Sequence, residues 1–151
     1  MKEPFTIERT YKAPVSLVWK AITQKELMKE WYFDLKEFKP EVGFVFEFYG
    51  GPSPEKQYLH RCEIIEVIPE KKLKHSWEYV TYSGKSYVTF ELFPEGNSTR
   101  LKLTHEGLET FPQSNPDLAE KNFAEGWTQI IGTSLKEFVE KNKNHEQTNY
   151  Y

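Results

Sequence analysis

The stretch SYVTFELFPEGNSTRLKLTH, residues 86–105, contains two runs of alternating apolar and polar residues on either side of a polar turn. Alternation with a period of two is typical of β-strands with one buried face, and residues 94–98 supply the turn of a hairpin. Counting outward from that turn predicts which side chains share the inner face. The predicted facing pairs are Leu92 with Leu101, Phe90 with Leu103, and Val88 with His105.

The chain before this hairpin continues the same alternation. Residues 73–79 and 58–68 are predicted to be two further strands, joined around Pro69, and Phe46 and Phe48 share one face of an earlier strand. Residues 50–54 contain two glycines and two prolines and are predicted to form a loop. Counting through the turn near Ser83 and Gly84 places His75 beside Phe90 and Trp77 beside Val88. The pattern indicates an antiparallel sheet.

Helical spacing replaces this alternation at both ends of the chain. After a first strand at residues 5–11, Val15, Val18, Trp19 and Ile22 recur at helical spacing, and residues 23–26 have the form of a capping box for a second short helix. Near the C-terminus, Asn115 and Pro116 predict the start of a long helix. Its apolar face contains Phe123, Trp127, Ile130, Ile131, Leu135 and Phe138. Gly126 within it predicts a close approach to the sheet.

Composition narrows the classes of function. The 151 residues carry a net charge of −3, which disfavours nucleic-acid binding, and include 11 Phe, 9 Tyr and 4 Trp. No apolar run is long enough for a membrane span and no secretory signal precedes the first strand, so we expect a cytoplasmic protein. The lone Cys62 excludes an internal disulfide, and no common zinc-ligand spacing occurs.

Several segments fall in the order of a known family. They are residues 14–23, Trp31-Tyr32, residues 42–44, residues 66–69 with Leu73 and Trp77, residues 99–105, and Gly126-Trp127. Together they resemble the activator of heat-shock protein 90 ATPase homologue-like family, within the START-like, Bet v 1-like superfamily. The resemblance runs from about Phe5 to Glu140. Tyr32 departs from it by replacing the second residue of a common Trp-Trp pair, and Cys62 stands where glycine is frequent.

The resemblance implies an α+β helix-grip fold. In such a fold, a curved antiparallel sheet of six or seven strands packs against a long C-terminal helix, and two short helices follow the first strand. We expect residues 1–141 to form this single domain and residues 142–151 to form a polar, disordered tail. The sequence selects neither a monomer nor a weak homodimer.

The inner face of the sheet and the facing helix contain the candidate site. The residues expected to line it are Trp31, Tyr32, Phe46, Phe48, His60, His75, Trp77, Val88, Phe90, Leu103, His105, Phe123, Trp127, Ile130 and Ile131. These rings would surround either a ligand cavity or a filled core. The imidazoles of His60, His75 and His105 would act as polar handles, hydrogen-bond to buried groups, or serve as acid–base groups or metal ligands.

Three functions follow as hypotheses. The first is non-catalytic binding of a small apolar or aromatic molecule between sheet and helix, with no catalytic residue, metal or cofactor assigned. The second, from the resemblance, is a partner of a heat-shock protein 90 family ATPase. The third, from the wider superfamily, is a cyclase or aromatase that uses cavity histidines.

Overall fold

Six antiparallel strands form a curved sheet in the part of the chain that the structure, a computed structural model, describes: residues 3–148, with side chains for residues 3–143. The strands are β1 (Phe5–Tyr11), β2 (Val45–Ser53), β3 (Lys56–Ile68), β4 (Lys72–Tyr79), β5 (Ser86–Glu95) and β6 (Ser98–Glu106). Their spatial order is β1-β6-β5-β4-β3-β2. The helices are α1 (Val15–Thr23), α2 (Lys25–Trp31), α3 (Glu120–Gln129) and α4 (Leu135–Thr148). The α+β helix-grip prediction is confirmed.

The register of the last hairpin is confirmed, since Val88, Phe90 and Leu92 pair with the predicted residues of β6. The predicted register of β4 on β5 is wrong by two residues: His75 pairs with Val88, and Trp77 pairs with Ser86. The difference arises in the connection between β4 and β5, where the Lys85 amide donates to the Thr110 hydroxyl and not to a carbonyl oxygen of β4. A shift of the strand register by two residues keeps the same side chains on the inner face of the sheet.

The predicted loop at residues 50–54 is wrong for most of its length. Strand β2 continues to Ser53, which pairs with Lys56 across the hairpin end, and an irregularity in the register lies between Gly50 and Ser53. Such a bulge accommodates Pro52, which cannot donate to a regular ladder. A Cβ atom on Gly51 would lie 1.9 Å from the Lys56 carbonyl oxygen, so this close approach of two backbones requires glycine.

The two short helices form as predicted, but the capping box between them does not. The Thr23 hydroxyl donates to the Trp19 carbonyl oxygen at 2.6 Å, because Thr23 is the last residue of α1. Gln24 precedes α2 and makes no side-chain cap. The hydroxyl bonds one turn back along its own helix, a common alternative for threonine.

The C-terminal helix begins later than predicted and contains an irregular turn. Asn115 does cap through its side chain, but the turn that it caps is a short 3₁₀ turn, Pro116–Leu118, and the extended Ala119 separates this turn from α3. A π-helical turn, Ile130–Ser134, joins α3 to α4. The helix then runs through Thr148, past the predicted domain end at residue 141, since extending an existing helix is cheaper than starting one. Residues 149–151 of the predicted tail lie outside the described residues.

The core lies between the inner face of the sheet and the helices. Ring and aliphatic side chains from β2 to β6 meet Phe123, Trp127, Ile131, Leu135 and Val139 from the C-terminal helix. Tyr11 ties β1 to this helix, because its buried hydroxyl donates to the Ile131 carbonyl oxygen at 2.6 Å. That carbonyl lies in the π-helical turn. The arrangement anchors one half of the helix to the sheet and leaves α3 over the β2–β3 hairpin.

Candidate ligand-binding cavity

A cavity of about 290 Å³ lies between the β2–β3 hairpin, the end of β4 and α3. Six of its lining residues contribute aromatic rings: Phe33, Tyr58, Trp77, Tyr79, Phe123 and Trp127. Exposed residues on both sides of the opening, Pro52 on the hairpin and Asn122 on α3, connect it to solvent. The space is therefore a ring-lined recess with a mouth.

Perpendicular rings build the inner end of the cavity. The ring centroids of Trp77 and Trp127 lie 5.8 Å apart at an interplanar angle of 62°, and those of Trp77 and Phe123 lie 6.3 Å apart at 76°. On the hairpin side, Phe33 stacks on the buried Phe48 at 4.2 Å. Edge-to-face and offset contacts of this kind are favourable for aromatic pairs, so the walls are held by their own packing.

Gly50 and Gly126, which both line the cavity, differ in the space around them. A Cβ atom on Gly50 would lie 2.9 Å from Cε1 of Phe33 and 3.3 Å from Cε1 of His60. A Cβ atom on Gly126 would have nothing within 4 Å. The predicted close approach of the helix to the sheet at Gly126 is therefore wrong. Gly126 instead leaves space at the cavity mouth.

A polar cluster, which we call the rim cluster, closes one side of the mouth and consists of Lys56, Tyr58, Asn115 and Asp117. The Tyr58 hydroxyl donates to Oδ2 of Asp117 at 2.7 Å, and Nζ of Lys56 lies 2.9 Å from the same oxygen. The Asn115 amide donates to the Tyr58 hydroxyl at 3.4 Å. The hydrogen bond from Tyr58, followed by that from Lys56, lowers the pKa of the Asp117 carboxyl. The rim cluster joins β3 to the turn before α3.

His60 is the imidazole that lines the cavity. Its Nδ1 lies 2.9 Å from the Tyr58 carbonyl oxygen, which requires a proton on Nδ1 and leaves Nε2 of the neutral ring as an acceptor. Burial lowers the pKa of His60 to about 4, although the backbone carbonyls of Tyr58 and Phe48 oppose that shift. The ring is therefore neutral at pH 7 and offers one acceptor.

His105 belongs to a buried hydrogen-bond chain behind the cavity. Trp127 Nε1 donates to His105 Nδ1 at 2.9 Å, so the neutral ring carries its proton on Nε2, which lies 2.7 Å from Ser86 Oγ. The Ser86 hydroxyl in turn donates to the Trp77 carbonyl oxygen at 2.9 Å. Burial, reinforced by His75, lowers the pKa of His105 to about 3. Each proton of the chain is engaged, and the chain orients the Trp127 indole.

Three further side chains with reactive or charged groups lie away from the cavity. His75 is buried in the core, its Nδ1 lies 2.8 Å from the Ser76 carbonyl oxygen, and burial lowers its pKa to about 4. Cys62 is fully buried, and burial raises the pKa of its thiol. Arg9 is exposed on β1, where its guanidinium donates to the Glu8 carbonyl oxygen. None of these three residues lines the cavity.

The structure divides the predicted site residues into two groups. Those that line the cavity are His60, Trp77, Phe123, Trp127 and Ile130. Those that pack behind it are Trp31, Tyr32, Phe46, Phe48, His75, Val88, Phe90, Leu103, His105 and Ile131. Strand parity could have added Tyr58 and Tyr79, which share the inner face with His60 and Trp77. Phe33, Gly51 and Asp117 come from irregular segments, where periodicity carries no signal.

The described residues offer neither a membrane-spanning helix nor a cluster of metal-ligating side chains. No helix among residues 3–148 is long and apolar enough to cross a membrane. Among residues 3–143, whose side chains the structure describes, no group of three or more His, Cys, Asp or Glu side chains is placed to hold a metal ion.

Comparison with known proteins gives one family and many similar folds. The model of the family described as "Activator of Hsp90 ATPase homolog 1-like protein" matches residues 12–140. The crystal structure of protein MLL2253 from Mesorhizobium loti is 27% identical, with a TM-score of 0.73 over 91% of this chain and 97% of that one. Mll3558 from Rhizobium loti is 23% identical (TM-score 0.78; 90% and 96%), and CalU16 from Micromonospora echinospora is 24% identical (0.68; 97% and 82%). No curated protein matches.

Proposed function

Because the chain belongs to the Activator of Hsp90 ATPase homolog 1-like family, whose fold typically binds ligands, we propose that it binds a small apolar or aromatic molecule without transforming it. The observation that carries this proposal is the ring-lined cavity beneath α3. The proposed binding residues are His60, Trp77, Phe123, Trp127 and Ile130, together with Phe33, Tyr58 and Tyr79.

The size and chemistry of the cavity support a ligand of about two fused rings. A dry, apolar cavity of about 150 Å³ is enough to bind benzene. The cavity here has about 290 Å³ and is walled mainly by ring carbons. Rigid rings lose little conformational freedom when they contact a ligand, which favours affinity.

The state of the nearby polar groups supports binding over turnover. Ser86 and His105 have the short contact of a nucleophile and its base, but the serine proton is donated to a backbone carbonyl and both side chains are completely buried. The lone pair of His105 at Nδ1 is occupied by Trp127. These groups fix the cavity wall.

A titration followed by two-dimensional amide and indole NMR tests the proposal, with naphthalene as the first probe. We expect saturable shifts of the Trp77 and Trp127 indole signals. The Trp31 indole, which donates to the Ala21 carbonyl oxygen behind the cavity, should move less. Shifts that do not saturate, or that are equal at all indoles, would contradict a defined site.

A pair of leucine variants on α3 supplies the control. Gly126→Leu places a side chain in the cavity mouth, where a Cβ atom meets nothing within 4 Å. Glu125→Leu adds the same side chain at an exposed neighbour that does not line the cavity. We expect Gly126→Leu to weaken naphthalene binding at least tenfold and Glu125→Leu to leave it unchanged. Equal affinities in both variants would place the probe elsewhere.

The family match favours one second candidate, a partner of a heat-shock protein 90 family ATPase. If this candidate is correct, saturating protein will change the ATP turnover of such a chaperone. The Gly126→Leu variant separates the two roles, because it blocks the cavity and leaves the outer face of the sheet intact. An unchanged turnover at saturation would exclude the chaperone role.

A further inference from the structure

One buried polar atom of the described residues lacks any hydrogen-bond partner, and it is the hydroxyl oxygen of Tyr32. Buried polar groups in folded proteins are nearly always paired, and an exception calls for an explanation. Leaving a hydroxyl unpaired costs stability, while a phenylalanine ring would fill the same space without that cost. The oxygen is therefore the feature of Tyr32 that packing does not explain.

Tyr32 lies directly behind the cavity wall. It follows α2, and its ring stacks on Trp31 with the ring centroids 4.9 Å apart. The same ring lies 4.4 Å from Phe33 and 6.2 Å from Trp127, measured between centroids, and both of these residues line the cavity. Tyr32 itself is not one of the lining residues, so its ring packs behind the wall that Phe33 and Trp127 form at the inner end of the cavity.

A second hydroxyl at this end also has an unused proton. Tyr79 lines the cavity, and its oxygen accepts a hydrogen bond from Trp77 Nε1 at 3.1 Å. Its own proton has no acceptor among the residues that the structure describes. Burial raises the pKa of Tyr32, with contributions from Cys62 and Tyr79, and burial also raises the pKa of Tyr79. Both phenols therefore stay protonated and can donate.

We propose that the Tyr32 hydroxyl is the inner hydrogen-bonding point of the cavity, and that the ligand is a neutral molecule with an oxygen or nitrogen acceptor at the end that enters first. The inference rests on the proposed binding function and specifies its ligand. A ligand acceptor that reaches past the Phe33 and Trp127 rings would receive the hydrogen bond that the apoprotein leaves unmade.

The charges around the cavity favour a neutral ligand. Of the described residues that line it, Asp117 is the only charged one, and it lies at the mouth in the rim cluster. No lysine or arginine among them faces the inner end. A carboxylate placed there would be buried without a counter-ion, which is strongly unfavourable. The acceptor atom is therefore that of a carbonyl, an ether, an alcohol or a ring nitrogen.

The test compares two probes of nearly the same shape. 2-Acetylnaphthalene carries a carbonyl oxygen where 2-isopropenylnaphthalene carries a methylene group, so only the first can accept a hydrogen bond. The affinity of each probe is measured by calorimetry for the unmodified protein, for Tyr32→Phe and for Tyr49→Phe. Tyr49 is a matched control because it is 66% exposed on the outer face of β2.

We expect the preference for the ketone over the alkene to fall roughly 2- to 12-fold in Tyr32→Phe, the range of one hydrogen bond, and to stay unchanged in Tyr49→Phe. Without a probe, Tyr32→Phe should unfold at a higher temperature than the unmodified protein. A merely structural hydroxyl would give the opposite shift in temperature and no change in preference.

The outcomes separate the two proposals. If both probes bind but the preference is the same in Tyr32→Phe, the role of Tyr32 is wrong and the binding function stands. If neither probe binds the unmodified protein, both proposals fail for ligands of this class.

Discussion

Three buried histidines set how the stability of the protein depends on pH. In the folded chain, burial lowers the pKa of His60 and His75 to about 4 and that of His105 to about 3. Histidine pKa values in the unfolded chain are about 6.5. At pH values between the folded and the unfolded pKa, the unfolded chain therefore binds more protons than the folded chain. Stability therefore rises with pH across this window and is fully present above it.

We predict a steep loss of stability on acidification. Between about pH 6 and pH 4.5 the three histidines together should remove up to about 4 kcal/mol of unfolding free energy per pH unit. Urea denaturation at a series of pH values measures this slope. His105→Gln should reduce the slope by about 1 kcal/mol per unit, since one proton fewer is taken up on unfolding. A slope that is the same in this variant would contradict the neutral, buried state of His105.

A substitution at Ser86 tests whether the hydrogen-bond chain behind the cavity stabilises the fold. Ser86→Ala removes the partner of His105 Nε2 and the donor to the Trp77 carbonyl oxygen, and leaves both buried. We predict a loss of about 1–3 kcal/mol of unfolding free energy, together with a shift of the Trp127 indole NMR signal. Ser83→Ala, at an exposed turn position, is the control and should change neither quantity. Equal effects at the two serines would show that the chain does not stabilise the fold.

At the scale of single elements, the β2–β3 hairpin and α3 form the two sides of one opening, and glycine has opposite roles in them. Gly51 allows two backbone segments to approach within a distance that a Cβ atom would block. Gly126 lies inside α3, at a position where there is room for a side chain. The hairpin therefore depends on its glycine for its shape, whereas α3 does not.

Alanine substitutions at Gly126 and Gly51 should therefore change the free energy of unfolding in opposite directions. We predict that Gly126→Ala stabilises the protein by about 1 kcal/mol, because alanine favours helix more than glycine and meets no steric obstacle. Gly51→Ala should destabilise it, because its Cβ atom would overlap the Lys56 carbonyl oxygen. Urea denaturation measures both changes. If Gly126→Ala destabilised the protein, the open space at this position would be refuted.

How far the sequence predicts these elements depends on whether periodicity governs them. The inner face of β5 and β6 followed from alternation alone, and it stayed correct even where the β4 register was wrong, because the error was an even number of residues. The hairpin bulge at residues 50–53 and the extended Ala119 before α3 did not follow from it. Both depend on contacts between distant segments, which a local pattern does not encode.

The cavity was harder to predict than the core for the same reason. Alternation and helical spacing place His60, Trp77 and Trp127 on surfaces that face each other, but they give no distance between those surfaces. The sequence therefore supports a filled core and an open recess equally, and the position of α3 relative to the hairpin distinguishes them. The lining residues Phe33 and Asp117 come from segments without a period, and their positions depend on the packing of the whole chain.

For the molecule as a whole, the rim cluster is a connection between sheet and helix at the cavity mouth. Removing it should let ligands enter and leave faster. We predict that Asp117→Ala raises both the association and the dissociation rate of a bound aromatic probe, because it removes the hydrogen bond from Tyr58 and the ion pair with Lys56 together. Stopped-flow measurement of indole fluorescence follows both rates.

Lys56→Met is the control for charge. It removes the ion pair and keeps the hydrogen bond from Tyr58 to Asp117, and an exposed ion pair of this kind contributes little to stability. The rates in this variant should lie close to those of the unmodified protein. Dissociation as fast in Lys56→Met as in Asp117→Ala would mean that the ion pair, rather than the hydrogen bond from Tyr58, holds the mouth.

The π-helical turn at Ile130–Ser134 determines which side chains of the C-terminal helix face the cavity and which face the sheet. Such a turn is equivalent to one inserted residue, and one residue corresponds to a rotation of about 100° about the helix axis. Deleting a residue here would restore an uninterrupted α-helix and rotate Leu135 and Val139 away from the core that buries them, if α3 kept its place. The single extra residue therefore acts as a phase shift between two helical faces, one aligned with the cavity and the other with the sheet.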